Sequence, residues 1–232
     1  MLPPYHYSYL IGVIIFALGW LGCYIFGRSY RSEMRWGTLL AAPLAVTSLL
    51  YVPQYWTPPS LFDLDEKIHV GIEDFLWAAA VGGMAAILGE IVLKDHLDRL
   101  RSRRHKRHYT PLIALAAVFG ALELWHPGET MINTIVAFAA GAVVLAFLRA
   151  DLIPLMVSGL VSFALLYFIL FQCVLALYPE FVRRYWNLPH LLGVYIAGVP
   201  IEELLFAASG GAVFSAAYEY IYGYRLERAG KI

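Results

Sequence analysis

The chain has 232 residues, of which 60% are hydrophobic and 15% are charged, and its formal net charge is zero. A soluble domain of this size cannot bury so much apolar surface, so the composition indicates a membrane protein. The balanced charge argues against a nucleic acid as the partner. We therefore expect the lipid bilayer to be the solvent around most of the chain.

Seven stretches are long and apolar enough to predict transmembrane helices. The fourth is short, and Glu123 interrupts it. The predicted fold class is therefore all-α, a polytopic membrane protein with seven transmembrane helices. In chain order the predicted spans cover residues 8–27, 37–53, 71–93, 111–126, 131–148, 152–178 and 198–222.

Basic residues are distributed unequally between the two sides of such a bundle. Fourteen of the seventeen Lys and Arg residues fall on one side, and the other side holds only Lys67, Arg183 and Arg184. The positive-inside rule then predicts an outer amino terminus and a cytoplasmic carboxyl terminus, in a multi-pass protein of the cell inner (plasma) membrane. The basic stretch 94–108 is expected to anchor this topology at anionic headgroups.

The third and seventh predicted spans begin with the same carboxylate pattern, 129 positions apart. Residues 71–79 read GIEDFLWAA, and residues 200–208 read PIEELLFAA. Each segment has two adjacent acids, then Leu, an aromatic residue and two alanines. Carboxylates in a membrane span are costly, so the duplicated pair points to acid chemistry in the membrane or to a polar clamp between helices.

The similarity between the two halves extends beyond the acids. Glu90 aligns with Glu219, and Tyr55-Trp56 echoes Tyr185-Trp186. The aromatic dipeptides are expected in the aromatic belt of the bilayer, and the two glutamates near basic residues at the cytoplasmic interface. Three helices reverse the chain direction, and one further crossing restores it. We predict two parallel three-helix repeats, residues 1–93 and 131–232, joined by a basic linker and connector helix, residues 94–130.

The start of the last span sets the surroundings of its acids. We predict a short interfacial or re-entrant helix over residues 190–198, a break at residues 198–200, and Pro200 in the first turn of the final helix. Adjacent helical residues point about 100° apart, so one acid of each pair can face the interior while the other accepts hydrogen bonds elsewhere. Parallel repeats would bring both pairs to one interface, which offers a protonated acid and an ionised base.

Residues 185–206 resemble the membrane-integral lycopene cyclase domain, which occurs as two small subunits or as one fused chain. The shared features are an Asn/Pro stretch at residues 187–189, Leu192-Gly193, and the Pro-Ile-Glu-Glu run from Pro200 that leads to Phe206. A Tyr-Glu dipeptide follows at residues 218–219. The first half departs from the family pattern, since Gly71-Ile72-Glu73-Asp74 replaces Pro-x-Glu-Glu.

The resemblance implies a carotenoid cyclase that converts a linear carotene such as lycopene to β-ionone-type rings within the membrane. The reaction is an intramolecular, non-redox isomerisation. An acid protonates a terminal alkene, an internal double bond attacks the cation, and proton loss leaves the ring. It implies Glu202 or Glu203 as the acid, Glu73 or Asp74 as its partner, and an aromatic lining that stabilises the cation. The candidate lining residues are Phe206, Trp77, Trp186 and Tyr195.

Further expectations concern cofactors and partners. No Gly-x-Gly-x-x-Gly sequence opens a helix, so no flavin or other cofactor is expected, and no metal. The expected partners are an apolar carotenoid and the lipid bilayer. The sequence leaves open the exact substrate, the ring type, cyclisation at one end or both, and the oligomeric state.

Other functions fit the sequence less well. A retinal protein needs a lysine inside a span, and all four lysines lie outside the predicted spans. A protease of the Glu-Glu-x-x-x-Arg type has arginine where this chain has Ala207. A polyprenyl transferase needs two acidic metal motifs, and only residues 63–66 resemble one. The remaining alternatives are a non-catalytic carotenoid- or isoprenoid-binding membrane protein, or a divergent enzyme acting on another isoprenoid.

Overall fold

The structure, a computed structural model, describes residues 4–93, 97–101 and 109–228, so most of the predicted basic linker lies outside the described residues. The described chain is predominantly helical, which confirms the all-α fold class. Its helices are α1 Ser8–Phe26, α2 Arg31–Ala41, α3 Ser48–Tyr51, α4 Leu64–Ile68, α5 Ile72–Leu93, α6 Thr110–Trp125, α7 Thr130–Leu148, α8 Ile153–Leu177, α9 Phe181–Tyr185 and α10 Ile201–Tyr222. The short strands are β1 Leu97–Arg101, β2 Tyr195–Ile196, β3 Val199–Pro200 and β4 Tyr224–Arg228.

Five helical segments among the described residues are long and apolar enough to cross a membrane. Two further predicted spans have a different form. A 3₁₀ segment, Ala42–Thr47, separates α2 from α3, with Pro43 near its start. Helix α6 has 16 residues and is therefore about 24 Å long, shorter than the hydrocarbon core of about 30 Å. The count of seven spans stays a prediction. The five segments are Tyr5–Phe26, Ile72–Leu93, Thr130–Leu148, Ala150–Leu177 and Ile201–Tyr222.

Helices α5 and α10, which carry the two acid pairs, form the centre of the bundle. They pack against each other, and both pack against α8. Helix α5 also contacts α1 and α2, whereas α10 also contacts α7. Both central helices begin at the same end of the bundle, which we call the loop end. At the opposite end, β1 pairs with β4 in antiparallel register.

Glycines bring the outer helices into close contact with the two central ones. A Cβ atom added at Gly37 of α2 would lie 2.5 Å from the carbonyl oxygen of Gly82 on α5. A Cβ added at Gly159 of α8 would lie 2.6 Å from the carbonyl oxygen of Gly211 on α10. Small residues permit this backbone approach between membrane helices. The α2–α5 and α8–α10 contacts are therefore built in the same way.

Two aromatic segments join the halves of the chain at the loop end. Trp56 forms an antiparallel bridge with Trp186, and their ring centroids are 5.1 Å apart. The amide of Thr57 donates to the carbonyl of Tyr185 at 2.7 Å, and the amide of Asn187 donates to the carbonyl of Tyr55 at 2.9 Å. The aromatic-belt prediction is wrong for Tyr55 and Trp186, each 6% exposed, because these segments pair with each other instead of facing headgroups.

The segment before α10 also differs from the prediction. The predicted helix over residues 190–198 is absent: a 3₁₀ helix ends at His190, and β2 and β3 then pair as a hairpin with Ala197 and Gly198 as its turn. Both turn residues have positive φ, 48° and 84°, as a two-residue type I′ hairpin turn requires. The predicted break at residues 198–200 is confirmed, and α10 begins directly after Pro200.

Candidate active site

Glu203, the second acid of the α10 pair, is a buried carboxyl group surrounded by aromatic hydrogen-bond donors. Its Oε1 accepts hydrogen bonds from the Tyr55 hydroxyl at 2.9 Å and the Trp186 indole N–H at 3.1 Å. Its Oε2 accepts one from the Tyr167 hydroxyl at 2.6 Å. Burial and the neighbouring Glu203 charge raise the pKa of Tyr55 well above its usual value, so this phenol stays a donor.

Asp74, the second acid of the α5 pair, occupies the corresponding place in the first half. Its Oδ1 accepts a hydrogen bond from the Tyr9 hydroxyl at 2.5 Å, and its Oδ2 accepts one from the Gly71 amide at 2.9 Å. Asp74 and Glu203 are equally buried, each 4% exposed. Each therefore receives a tyrosine hydroxyl from a neighbouring helix, but Glu203 has three donors and Asp74 has two.

Glu73 and Glu202, the first acids of the pairs, point to the loops before their helices. Oε1 of Glu73 accepts a hydrogen bond from the Leu61 amide at 2.7 Å, and Oε1 of Glu202 accepts one from the Leu192 amide at 2.5 Å. The two side chains are buried, 1% and 2% exposed. Both acids thus tether a loop to the start of a central helix.

An apolar cavity of about 240 Å³ lies inside the bundle below the loop end. Asp74 and Glu203 line it, whereas Glu73 and Glu202 are not among the residues that form its wall. The cavity reaches Leu44, which is 48% exposed, so it extends to the flank of the bundle beside the 3₁₀ segment. Of the four predicted catalytic residues, the structure brings two to the cavity.

The cavity wall is rich in aromatic rings, three of which were candidates from the sequence. Trp77 and Phe206, which occupy equivalent positions after the two acid pairs, stack with ring centroids 5.8 Å apart. Trp186 also lines the cavity, as does Tyr167. Tyr195 does not, because β2 places it at the surface, where it is 42% exposed. Tyr9 and Tyr167 are site residues that the sequence did not single out, and Tyr55 was expected in the aromatic belt instead of the site.

Asp65 is a further buried acid beside the site. Three left-handed residues, Phe62, Asp63 and His69, fold the segment around α4 back onto the start of α5. Asp65 is 1% exposed, and its carboxyl group lies within hydrogen-bonding reach of that of Asp74. Burial raises the pKa of Asp65 to about 7, and the Asp74 carboxyl is the second cause. In the sequence, residues 63–66 resemble only a single acidic metal motif, which gave no reason to expect Asp65 beside Asp74.

A third group of acids lies far from the cavity. Glu90, Glu219 and Glu33 are buried, and their carboxylate oxygens lie within 4.8 Å of one another. Glu90 is 17 residues beyond Glu73 on α5, a separation of about 25 Å along the helix. The duplicated glutamates therefore meet near the opposite end of the bundle, as their equal spacing from the acid pairs requires. The predicted pairing with basic residues stays a prediction.

This geometry suits acid–base chemistry on an apolar molecule. Asp74 and Glu203 differ in their hydrogen-bond partners. Three donors surround the Glu203 carboxyl group, whereas Asp74 has two donors and lies beside the Asp65 carboxyl group. Donors favour a charged carboxylate, and a neighbouring carboxyl group favours a protonated one. The cavity thus brings two carboxyl groups with different surroundings beside aromatic rings.

Comparison with known families identifies part of the chain. Residues 129–221, which include α7, α8 and α10, match the family model described as lycopene cyclase. This match confirms the resemblance noted from residues 185–206 and extends it to residues 129–221. Glu203 lies inside the matched region, and Asp74 lies outside it. No curated protein and no solved structure matches the chain.

Proposed function

We propose that this membrane protein is a carotenoid cyclase that converts a linear carotene such as lycopene to β-ionone-type rings without net redox change. The observation that carries the proposal is the convergence of Asp74 and Glu203 on one aromatic-lined cavity. The match of residues 129–221 to the lycopene cyclase family model supplies the substrate class. A purely structural clamp between helices would not need its acids beside an open cavity, whereas Asp74 and Glu203 both line one.

The two acids take different roles in this proposal. Asp74 is the general acid, because it lines the apolar cavity and lies beside Asp65, a buried acid whose pKa burial raises to about 7. Glu203 is the counter-charge and proton acceptor, because three donors stabilise its ionised form. This assignment reverses the roles expected from the sequence, where Glu202 or Glu203 was the acid. Glu73 and Glu202 hold the loops that complete the site.

The proposed reaction balances without a cofactor. Asp74 transfers its proton to the terminal double bond, which leaves a tertiary carbocation. An internal double bond attacks the cation, so one carbon–carbon bond forms and the positive charge moves into the new ring. Glu203 then removes a ring proton, which restores a double bond. The product is an isomer of the substrate. Ring closure leaves Asp74 ionised and Glu203 protonated, so the cycle closes when Glu203 releases its proton to water and Asp74 takes up another.

The aromatic wall stabilises the cation during these steps. The faces of Trp77, Phe206 and Tyr167 offer negative electrostatic potential without a nucleophile that would trap the cation. The cavity of about 240 Å³ is smaller than the roughly 300–1,000 Å³ of pockets that enclose a whole drug-sized ligand. One end of a long carotene therefore enters, and the opening beside Leu44 leads the remainder into lipid.

The same proposal includes the membrane architecture. Seven crossings, with the α2–α3 segment and α6 as the shorter ones, place the amino terminus outside and the carboxyl terminus in the cytoplasm of a plasma membrane. Two parallel repeats fit the matched Gly37–Gly82 and Gly159–Gly211 contacts and the reciprocal bridge between Trp56 and Trp186. Residues 1–93 and 131–232 would form the repeats, with residues 94–130 as linker and connector.

Expression in a bacterial host that accumulates lycopene, followed by pigment chromatography, tests the proposal. We expect lycopene to decrease and monocyclic or bicyclic products to appear. In deuterated medium each new ring should retain one solvent deuterium, the atom delivered by the acid. An unchanged lycopene peak, with the protein inserted in the membrane, would contradict the proposal. Unchanged carotene that co-purifies with the protein would instead favour a non-catalytic binding protein.

A further inference from the structure

A second cavity lies on the other side of the Asp65–Asp74 pair. It has a volume of about 380 Å³ and lies at the loop end, between the residues before α1, the proline-rich segment after α3 and the α4 segment. Its wall includes Asp65, whereas the wall of the apolar cavity includes Asp74. The carboxyl pair thus separates this more polar space at the loop end, which we call the polar cavity, from the apolar cavity in the bundle.

The polar cavity is lined by groups that exchange protons with water. Its titratable side chains are His6, Asp63, Glu66, His69 and Tyr185. Asp63 and Glu66 are exposed, and Asp63 pairs with Lys67 at 3.9 Å. The apolar cavity, in contrast, has a wall made almost entirely of aromatic and aliphatic side chains. Water can therefore reach Asp65 through the polar cavity, from the loop end.

The position of the Asp65 carboxyl group suits proton exchange better than a structural hydrogen bond. Among the described residues, neither of its carboxylate oxygens has a hydrogen-bond partner of good geometry, although the side chain is 1% exposed. The Ser60 hydroxyl, which accepts from the Asp65 amide, lies close to the carboxyl group. On the bundle side Asp65 faces Asp74, Glu73 and Tyr9. A buried acid beside other acids favours its protonated form, which can pass a proton to a neighbour.

We propose that Asp65 is the relay residue that returns a proton from the polar cavity to Asp74 after each ring closure. The relay rests on the proposed cyclase function, because each turnover leaves Asp74 ionised. A proton enters from water in the polar cavity, binds the Asp65 carboxyl group and passes to Asp74, and no other bond changes. The water that supplies it lies at the loop end, which is the outer side in the proposed topology.

The Asp65→Asn variant of the full-length protein, reconstituted in lipid vesicles with lycopene, tests this relay. Measured below pH 7, the first ring should form at close to the normal rate, because the first proton does not pass through residue 65. Subsequent turnover should fall roughly tenfold or more, since a lost proton-transfer group costs at least this. The result is a burst of one ring per active site followed by a slow steady phase.

The dependence on pH provides a second readout. With wild-type protein, turnover should fall as pH rises through about 7, where Asp65 loses the proton that it relays. In Asp65→Asn the slow steady phase should lack this falling limb, because the group that titrates there is absent. Asp65→Glu should restore the steady rate at least in part, since it returns a titratable carboxyl group.

Glu180→Gln is the matched control. Glu180 is an exposed acid at the same end of the bundle, outside both cavities, and it pairs with Arg184 at 3.4 Å. Its steady rate and pH profile should equal those of the wild type. Equal burst and steady rates in Asp65→Asn, whether normal or both reduced, would overturn the relay. A wild-type protein that forms no ring would instead contradict the proposed function itself.

Discussion

The starts of α5 and α10 carry the same pair of acids, yet they surround the inner acid differently. In both, the first acid binds a loop amide and the second faces the cavity with a tyrosine hydroxyl on it. At α10 a second tyrosine and a tryptophan complete the donors around Glu203. At α5 an additional carboxyl group, Asp65, lies beside Asp74. Duplication of one motif thus produced two electrostatic environments, which is what a separate acid and base require.

The largest expected effect tests this difference directly. Asp74→Asn removes the proposed proton donor, so turnover should fall about 1,000-fold or more. Glu203→Gln keeps a hydrogen-bonded side chain but loses the counter-charge, so turnover should fall about 100-fold. Pigment conversion in isolated membranes, corrected for the amount of folded protein, measures both. The opposite order, with Glu203→Gln the more severe, would show that the roles of the two acids are exchanged.

A second pair of variants asks whether the helix contacts of the two halves are equally tight. Gly211→Ala places a methyl group 2.5 Å from the Gly159 carbonyl oxygen, and Gly82→Ala meets α2 as closely. Each should lower the free energy of unfolding in detergent by about 1–3 kcal/mol, the usual cost of overpacking. Gly120→Ala is the control, since no atom lies within 4 Å of the added methyl group. A normal melting temperature for Gly82→Ala alone would mean that the α2–α5 contact is looser than its counterpart.

Aromatic residues at equivalent positions offer a third comparison. Trp77→Leu and Phe206→Leu each remove one ring of the stacked pair, and each should reduce turnover about tenfold, as loss of a buried cation–π contact implies. The tryptophan variant should be the more affected, because indole binds cations best. Trp125→Leu, at an exposed helix end outside the cavity, should leave turnover unchanged. Equal rates in all three variants would show that the rings of Trp77 and Phe206 do not stabilise the cation.

Hydropathy and the internal repeat predicted much of this arrangement. The apolar runs located the five long helical segments, and the duplicated acids marked the first turns of α5 and α10. Because neighbouring helical positions point in different directions, a division of labour within each pair was also predictable. Which acid faces the cavity was not, since Glu203 meets its donors through Tyr55 and Tyr167, from parts of the chain 148 and 36 residues away.

Local backbone geometry accounts for most of what the sequence could not indicate. Asp65 approaches Asp74 only because three non-glycine residues adopt left-handed conformations, which residue type alone does not predict. Tyr195 fails as a lining residue for a similar reason, since the Ala197-Gly198 turn replaces the expected helix with a hairpin and exposes it. Tertiary pairing of the two aromatic segments, and not their amphipathic character, decides where Tyr55 and Trp186 lie.

The smallest effects should come from the outer acids of the pairs. Glu73→Gln and Glu202→Gln keep a carbonyl oxygen for the Leu61 and Leu192 amides, so turnover should change less than about threefold. Loss of the charge-assisted hydrogen bond should lower the free energy of unfolding by about 1 kcal/mol in each, measured by thermal melting in detergent.

Alanine at the same two positions sharpens the comparison, because it removes the hydrogen-bond acceptor of each loop amide. Glu73→Ala releases Leu61, which leads directly into the segment that carries Asp65, so the pH profile of turnover should change as well as the melting temperature. Glu202→Ala releases Leu192, which leads to the exposed strand β2 and not to the carboxyl pair, so only the melting temperature should fall. Identical behaviour of the two alanine variants would mean that the first-half loop does not position the carboxyl pair.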